Sequence, residues 1–288
     1  MSINAAKNAT RAFYVTVCSG KGGVGKSTVA ALLASKLADA GNRTLLIDAD
    51  RGLGDLATLT NSVIQRGFES VLSGAISLEN ATIKIGPRLW LIGTEAGTRV
   101  EGRIDEMDGL KNCARIDALF DVVVIDTPSS LEPLILNLIA LSDLSISVTT
   151  PKISSISDSY IQIKQAGEVD DRGAAAFIVN KTEGDVEGDQ TAVKFSELIE
   201  KFLARTVSAL GYLEFNPLIE KFAESQSLLT KSAELNGAGK KLDRIVKTLQ
   251  ERHIGKARRE SSLWERLGEA MALKRVVGFD DTPVMVHN

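Results

Sequence analysis

The run Gly20-Lys21-Gly22-Gly23-Val24-Gly25-Lys26-Ser27 fits the spacing G-x-x-x-x-G-K-[ST] and lies between an apolar stretch, Ala12 to Cys18, and an amphipathic one, Lys26 to Ala40. A strand, a glycine-rich loop and a helix in that order make a phosphate cradle. Glycines let successive backbone N–H groups turn inward around a polyphosphate, and the helix N-terminus adds partial positive charge. Lys26 is expected at the β- and γ-phosphates, with the Ser27 hydroxyl on Mg²⁺. Gly20 through Ser27, with Thr28, form the expected nucleotide-binding set, and ATP and Mg²⁺ are the expected ligands.

Around this loop, short apolar runs alternate with longer amphipathic segments, which predicts strand–helix–strand units in a mostly parallel sheet. The expected strands are Ala12 to Cys18, Thr44 to Asp48, Leu89 to Ile92, Val122 to Ile125, Leu144 to Val148, Ala175 to Val179 and Ala209 to Leu213. Val122-Val123-Val124-Ile125 and Thr44-Leu45-Leu46-Ile47 lack polar alternation, as befits strands covered by helices on both faces. Helices are expected over Lys26 to Ala40, Leu131 to Leu141, Ile156 to Ala166, Thr191 to Phe202 and Leu235 to Arg252. The fold class is therefore α/β, a single mostly parallel sheet flanked by helices. No Pro/Gly-rich linker divides the chain before about residue 253, so residues 1–252 read as one domain carrying the phosphate loop and 253–288 as a basic amphipathic tail.

Carboxylates complete the site. Asp48 and Asp50 end a buried parallel strand, the edge where such sheets bind ligands, although capping or turn roles fit them as well. Asp121-Val122-Val123-Val124-Ile125-Asp126 has the form of a Walker B strand that delivers Asp126 to the magnesium shell beside Ser27. The net charge of −3 provides no global basic field for nucleic acid. Two cysteines, Cys18 and Cys113, cannot build a disulfide framework, and no run approaches 18 apolar residues, which points to a cytoplasmic chain.

Lys21 is a second lysine inside a loop that Lys26 already serves. With it, the sequence resembles the deviant phosphate loop of the MinD/ParA ATPases, members of the P-loop NTPases of SIMIBI type, and the likeness runs over roughly residues 12 to 250. The resemblance implies a homodimer formed on ATP binding, in which Lys21 crosses to the partner's phosphates. It further implies slow, partner-stimulated hydrolysis, with Lys21, Lys26 and Asp50 catalytic. Asp50 would position the attacking water, and Asp48 and Asp126 would organise the metal with Ser27. Ile178-Val179-Asn180-Lys181 is similar to the strand end whose asparagine reads adenine, though a turn role suits Asn180 too. Leu210 to Pro217, followed by Ala223, Gln226 and Ser227, resembles the family's last sheet strand and the loop flanking the base, which implies Pro217 beside the adenine.

Within that family the segment Ser147 to Tyr160 resembles MinD and the FlhG/FleN (YlxH) branch that controls flagellum placement and number alike, whereas Glu183 to Gly188 and Lys201 to Leu203 look closer to the FlhG/FleN branch, with MinD second. There are departures. Pro128-Ser129-Ser130 stands where relatives carry a glycine-containing turn, and a turn needing positive φ would resist serine. Lys152 stands where they carry glutamate, and the residues before Ala12 show no D-Q-A-x-x-L-R motif. Cys18 and Cys113 lack partners for a cluster, and no tyrosine-rich tail suggests a kinase.

From Arg252 to Arg275 seven basic residues face three acidic ones. Within Ser262 to Leu273, Leu263, Trp264, Leu267, Ala270 and Met271 share one helical face. That face suits either the chain's own surface, a partner protein, or the interface of an anionic membrane, where MinD and FlhG bind by C-terminal amphipathic helices. A peripheral location at the inner face of the plasma membrane follows from the last. A flagellar or division-machinery protein is the expected partner. A ParA-like DNA partitioner and an ATP-binding scaffold that no longer hydrolyses are the alternatives in other classes.

Overall fold

The computed structural model describes residues 11–50, 55–94, 106–203, 205–254 and 259–272. Its eight strands are β1 (Phe13–Cys18), β2 (Thr44–Asp48), β3 (Ile83–Lys84), β4 (Leu89–Ile92), β5 (Val122–Asp126), β6 (Leu144–Thr149), β7 (Ala174–Thr182) and β8 (Ser208–Glu214). They form one sheet in the order β3-β4-β2-β5-β1-β6-β7-β8. Every pairing is parallel except β3 with β4, which is antiparallel. From β1 the chain first builds β2, β3 and β4 on one side, inserts β5 between β2 and β1, and then builds β6, β7 and β8 on the other side, so the crevice at the carboxyl end of β1 is the topological switch point.

The glycine loop leads into α1 (Lys26–Asp39). Next come the short helices α2 (Asp55–Leu59), α3 (Phe68–Leu72) and α4 (Leu78–Ala81), then α5 (Glu106–Ala114) and α6 (Ile116–Leu119). α7 (Pro133–Leu141) follows β5, α8 (Ile153–Val169) follows β6, and α9 (Asp185–Leu203) follows β7. α10 (Pro217–Glu224), α11 (Asn236–Arg252) and α12 (Leu263–Ala272) close the chain.

Period-two alternation along the buried strands divides the core between two faces. Val15, Leu46, Val124 and Ile146 pack with Leu32 and Leu33 of α1 and Leu242 and Leu249 of α11. Tyr14, Leu45, Ile47, Val123 and Ile125 face the other way, against Phe68 of α3, Leu138 of α7 and Trp264 of α12. Both faces being covered explains the unbroken apolar runs.

All seven expected strands are present within two or three residues of the expected ends. β3 is additional, as are the helices α2, α3, α4, α5, α6 and α10. α9 starts six residues before Thr191, where Asp185 and Glu187 favour a helix N-terminus, and α8 starts at Ile153 instead of Ile156.

The tail helix forms as expected, and its apolar face lies on the protein. Leu263, Trp264, Leu267 and Ala270 are buried, so the side that the sequence could equally have offered to a membrane is covered here. Basic residues counted towards a cationic tail fasten it instead. Arg11 donates to both oxygens of Asp143 at 2.7 and 2.6 Å and also to the Arg259 carbonyl. Arg266 Nε donates to the Leu141 carbonyl at 2.8 Å and Arg259 Nη2 to that of Ala140 at 2.9 Å. Asp143 precedes β6, so this clasp sits at the sheet edge opposite the glycine loop. Lys256, Arg258, Lys274, Arg275 and the residues beyond lie outside the described residues.

Candidate active site

Cys18 ends β1 and the chain turns at once into the glycine loop. Gly23 and Gly25 have φ of 78° and 90°, the left-handed region where a side chain is strained. At Gly25 space is also short, because a Cβ would come within 2.5 Å of Asn180 Nδ2. That amide donates to the Val24 carbonyl at 2.8 Å and ties the end of β7 to the loop. Gly20 permits a second close approach, since a Cβ there would meet the backbone of Asp158 in α8 at 2.2 Å.

The loop borders a cavity of about 410 Å³. Lys21, Gly22, Gly23, Gly25, Lys26, Ser27 and Thr28 line it from the loop and α1, and Asp50 lines it from the end of β2. Lys26 is buried and its Nζ donates to Asp126 Oδ1 at 2.6 Å and to Ser27 Oγ at 3.1 Å. Lys21 is exposed at the rim, where its Nζ donates to Ser154 Oγ on the first turn of α8 at 2.7 Å.

Asp48 and Asp126 are placed side by side by the β2–β5 register. Burial pushes the Asp126 carboxyl above its ordinary range, with the Lys26 charge opposing the rise. Burial, reinforced by the charge of Asp126, pushes Asp48 up to about 7. One oxygen of Asp48 accepts from the Asp50 amide at 3.0 Å. The other, Oδ2, and Asp126 Oδ2 are buried with no hydrogen-bond partner. Two adjacent carboxylates, each with an unsatisfied oxygen, beside a serine hydroxyl fit a small divalent cation. Among the described residues no set of three or more His, Cys, Asp or Glu gathers around a metal. A cation here would take most ligands from phosphate and water, as Mg²⁺ does.

The remaining expected residues sit differently. Gly20 and Val24 belong to the loop but not to the cavity lining, and Asn180 reaches the loop through Val24. Pro217 is exposed at the first turn of α10 and does not line the cavity. Its helix contributes at the other end, where Ala223 and Glu224 close one wall with Asp55, Thr58 and Leu59 of α2. Ala223 belongs to the segment whose resemblance implies a place beside the base, whereas Glu224, Asp55, Thr58 and Leu59 carry no motif and only tertiary packing brings them to the loop. Ser129 also lines the cavity. Among the described residues the non-glycine positions with positive φ are Asn61, Lys181 and Gln226, so Ser129 and Ser130 occupy their turn without left-handed strain.

The model of the CobQ/CobB/MinD/ParA nucleotide binding domain matches residues 15–229. The flagellum site-determining protein YlxH of Helicobacter pylori is 27% identical over 237 residues, covering 81% of this chain and 80% of that protein. The antiactivator FleN of Pseudomonas aeruginosa is 26% identical over 218 residues, 74% of this chain and 77% of FleN. Among solved structures, the MinC:MinD cell division complex of Aquifex aeolicus superposes with a TM-score of 0.68 at 25% identity, covering 86% of this chain and 99% of that one. With its sheet order, its glycine loop and its paired aspartates, the chain belongs to the MinD/ParA nucleotide-binding family.

Proposed function

We propose that the chain is a dimerising switch driven by ATP, with slow Mg-ATP hydrolysis, and that it acts as a spatial regulator of flagellum placement or number. The observation that carries the reading is the division of labour between two lysines. Lys26 is buried against Asp126 inside the cavity, whereas Lys21 stands exposed on its rim. A cation free to leave a surface hydroxyl is available to a second nucleotide on a second copy.

Asp50 on the cavity wall supports hydrolysis, because phosphoryl transfer needs a positioned water more than a strong base. The orphan oxygens of Asp48 and Asp126 support the metal. The unstrained turn at Ser129 and Ser130 favours turnover over an inert scaffold. Likeness to YlxH and FleN supports the flagellar assignment over septum placement. Peripheral membrane residence through α12 would require that helix to leave its seat, because Leu263, Trp264 and Leu267 are buried on the protein.

Steady-state phosphate release at saturating Mg-ATP tests the enzyme. Wild type should exceed both Lys26→Ala and Asp50→Ala, and equal rates in all three would refute hydrolysis. Affinity capture with ATP-loaded Asp50→Ala should recover a flagellar protein, and recovery of division proteins instead would move the assignment to the septum.

A further inference from the structure

Ser129 is a polar side chain on the nucleotide cavity that neither the loop motif nor the metal pair employs. Its Oγ lies 2.8 Å from Ser19 Oγ. Ser19 Oγ in turn donates to the Lys21 carbonyl at 3.1 Å. A serine hydroxyl carries one proton, so with Ser19 donating to Lys21 the proton between the two serines belongs to Ser129. Ser129 therefore donates to Ser19, and it does so from the wall of a cavity that also holds Lys21, Lys26 and Asp50. Its loop leaves β5 directly after Asp126 and leads into α7.

We propose that the Ser129 hydroxyl reads the terminal phosphoryl group, turning its O–H from Ser19 to a γ-phosphate oxygen when a triphosphate enters. The inference rests on the ATP reading of this cavity and adds a specificity-determining residue to it. Exchange in that direction is favourable because a hydrogen bond to an anionic oxygen is roughly twice as strong as one between neutral hydroxyls. A diphosphate lacks the acceptor and leaves the serine pair closed. The result is a side-chain test for triphosphate that requires no glycine in the turn.

Dissociation constants for a non-hydrolysable ATP analogue and for ADP, both with Mg²⁺, test this in four proteins: wild type, Ser129→Ala, Ser129→Thr and Ser19→Ala. Ser129→Ala should weaken the analogue by roughly ten- to a hundredfold while leaving ADP unchanged. Ser129→Thr keeps the hydroxyl and should restore the preference. Ser19→Ala removes the resting partner together with its bond to the Lys21 carbonyl, so both affinities can fall, but the preference for the analogue over ADP should be kept. An unchanged ratio in Ser129→Ala overturns the proposal, as does equal weakening of both nucleotides. Loss of the preference in Ser19→Ala would mean that the serine pair acts structurally, which also overturns it. Wild type that binds neither nucleotide removes the ATP reading along with it, whereas wild type that binds both with Ser129→Ala unaltered removes this inference alone.

Discussion

Trp264 of α12 stands edge-on to Tyr14 of β1, with ring centroids 5.9 Å apart and planes at 88°. Phe68 of α3 flanks the same indole at 5.9 Å. The tail helix thus supplies one of the largest fully buried side chains of the core, at 1% exposure. Trp264→Ala should cost about 3–5 kcal/mol, the range for deleting a buried aromatic. Urea unfolding of the full chain measures it. A midpoint equal to wild type would show that α12 spends its time off the protein, which is what constitutive membrane residence demands.

Gly20 allows α8 to lie against the phosphate loop, where Gln162 Nε2 also donates to the Ser19 carbonyl at 3.3 Å. A methyl at position 20 meets the Asp158 carbonyl carbon and oxygen at 2.2 Å, and backbone cannot rotate away as a side chain can. Gly20→Ala should lose about 1–3 kcal/mol through overpacking and weaken nucleotide binding because the loop is displaced. Thermal unfolding alongside nucleotide titration checks both. Unaltered affinity would show that the loop tolerates a shift of α8.

Much of this arrangement was open to reading in the sequence, for identifiable reasons. Val122–Asp126 is buried on both faces, so its apolar run has no polar interruption, and its carboxyl end delivers Asp126 to the loop. The same continuity marks Thr44–Asp48. Ile83-Lys84 is too short for any periodicity, and it forms the sheet edge only by pairing antiparallel with β4. Asp55 and Thr58 reach the cavity from a five-residue helix whose place is set by tertiary contacts. For α12 the pattern is ambiguous in principle, since an apolar helical face is the same whether lipid or protein covers it. Its seat on the protein is fastened by Asp143, a carboxylate far upstream that pairs with both Arg11 and Arg266 and that no local pattern in the tail reveals.

Asp48 gives the metal-free protein a pH dependence. Its pKa rises from an ordinary 3.8 to about 7 on folding, so the native state holds a proton that the unfolded chain has lost. Stability contributed this way is complete below about pH 4 and disappears as pH climbs through about 7. In EDTA, without nucleotide, unfolding free energy should therefore decline over that window. Asp48→Asn keeps an acceptor for the Asp50 amide and should reduce the decline by about 2–4 kcal/mol. Denaturant titrations at pH 4.5 and 7.5 compare the two proteins, and parallel pH slopes would place the proton elsewhere.

Lys21 separates assembly from folding. Its amine touches only an exposed hydroxyl, Ser154 Oγ, so Lys21→Ala should change unfolding free energy by less than about 0.5 kcal/mol. Lys26 remains buried against Asp126, and one bound nucleotide per chain should be retained within a few-fold of wild-type affinity. What should fail is association. The wild type loaded with a non-hydrolysable ATP analogue should sediment as a dimer, and Lys21→Ala as a monomer at the same concentration. Position 21 matters to a second copy if a charge that contributes nothing to its own fold is nevertheless required for pairing. Sedimentation velocity on both proteins with and without nucleotide decides the matter: a Lys21→Ala dimer, or a wild type that stays monomeric when loaded, would leave the two-lysine division of labour without a purpose.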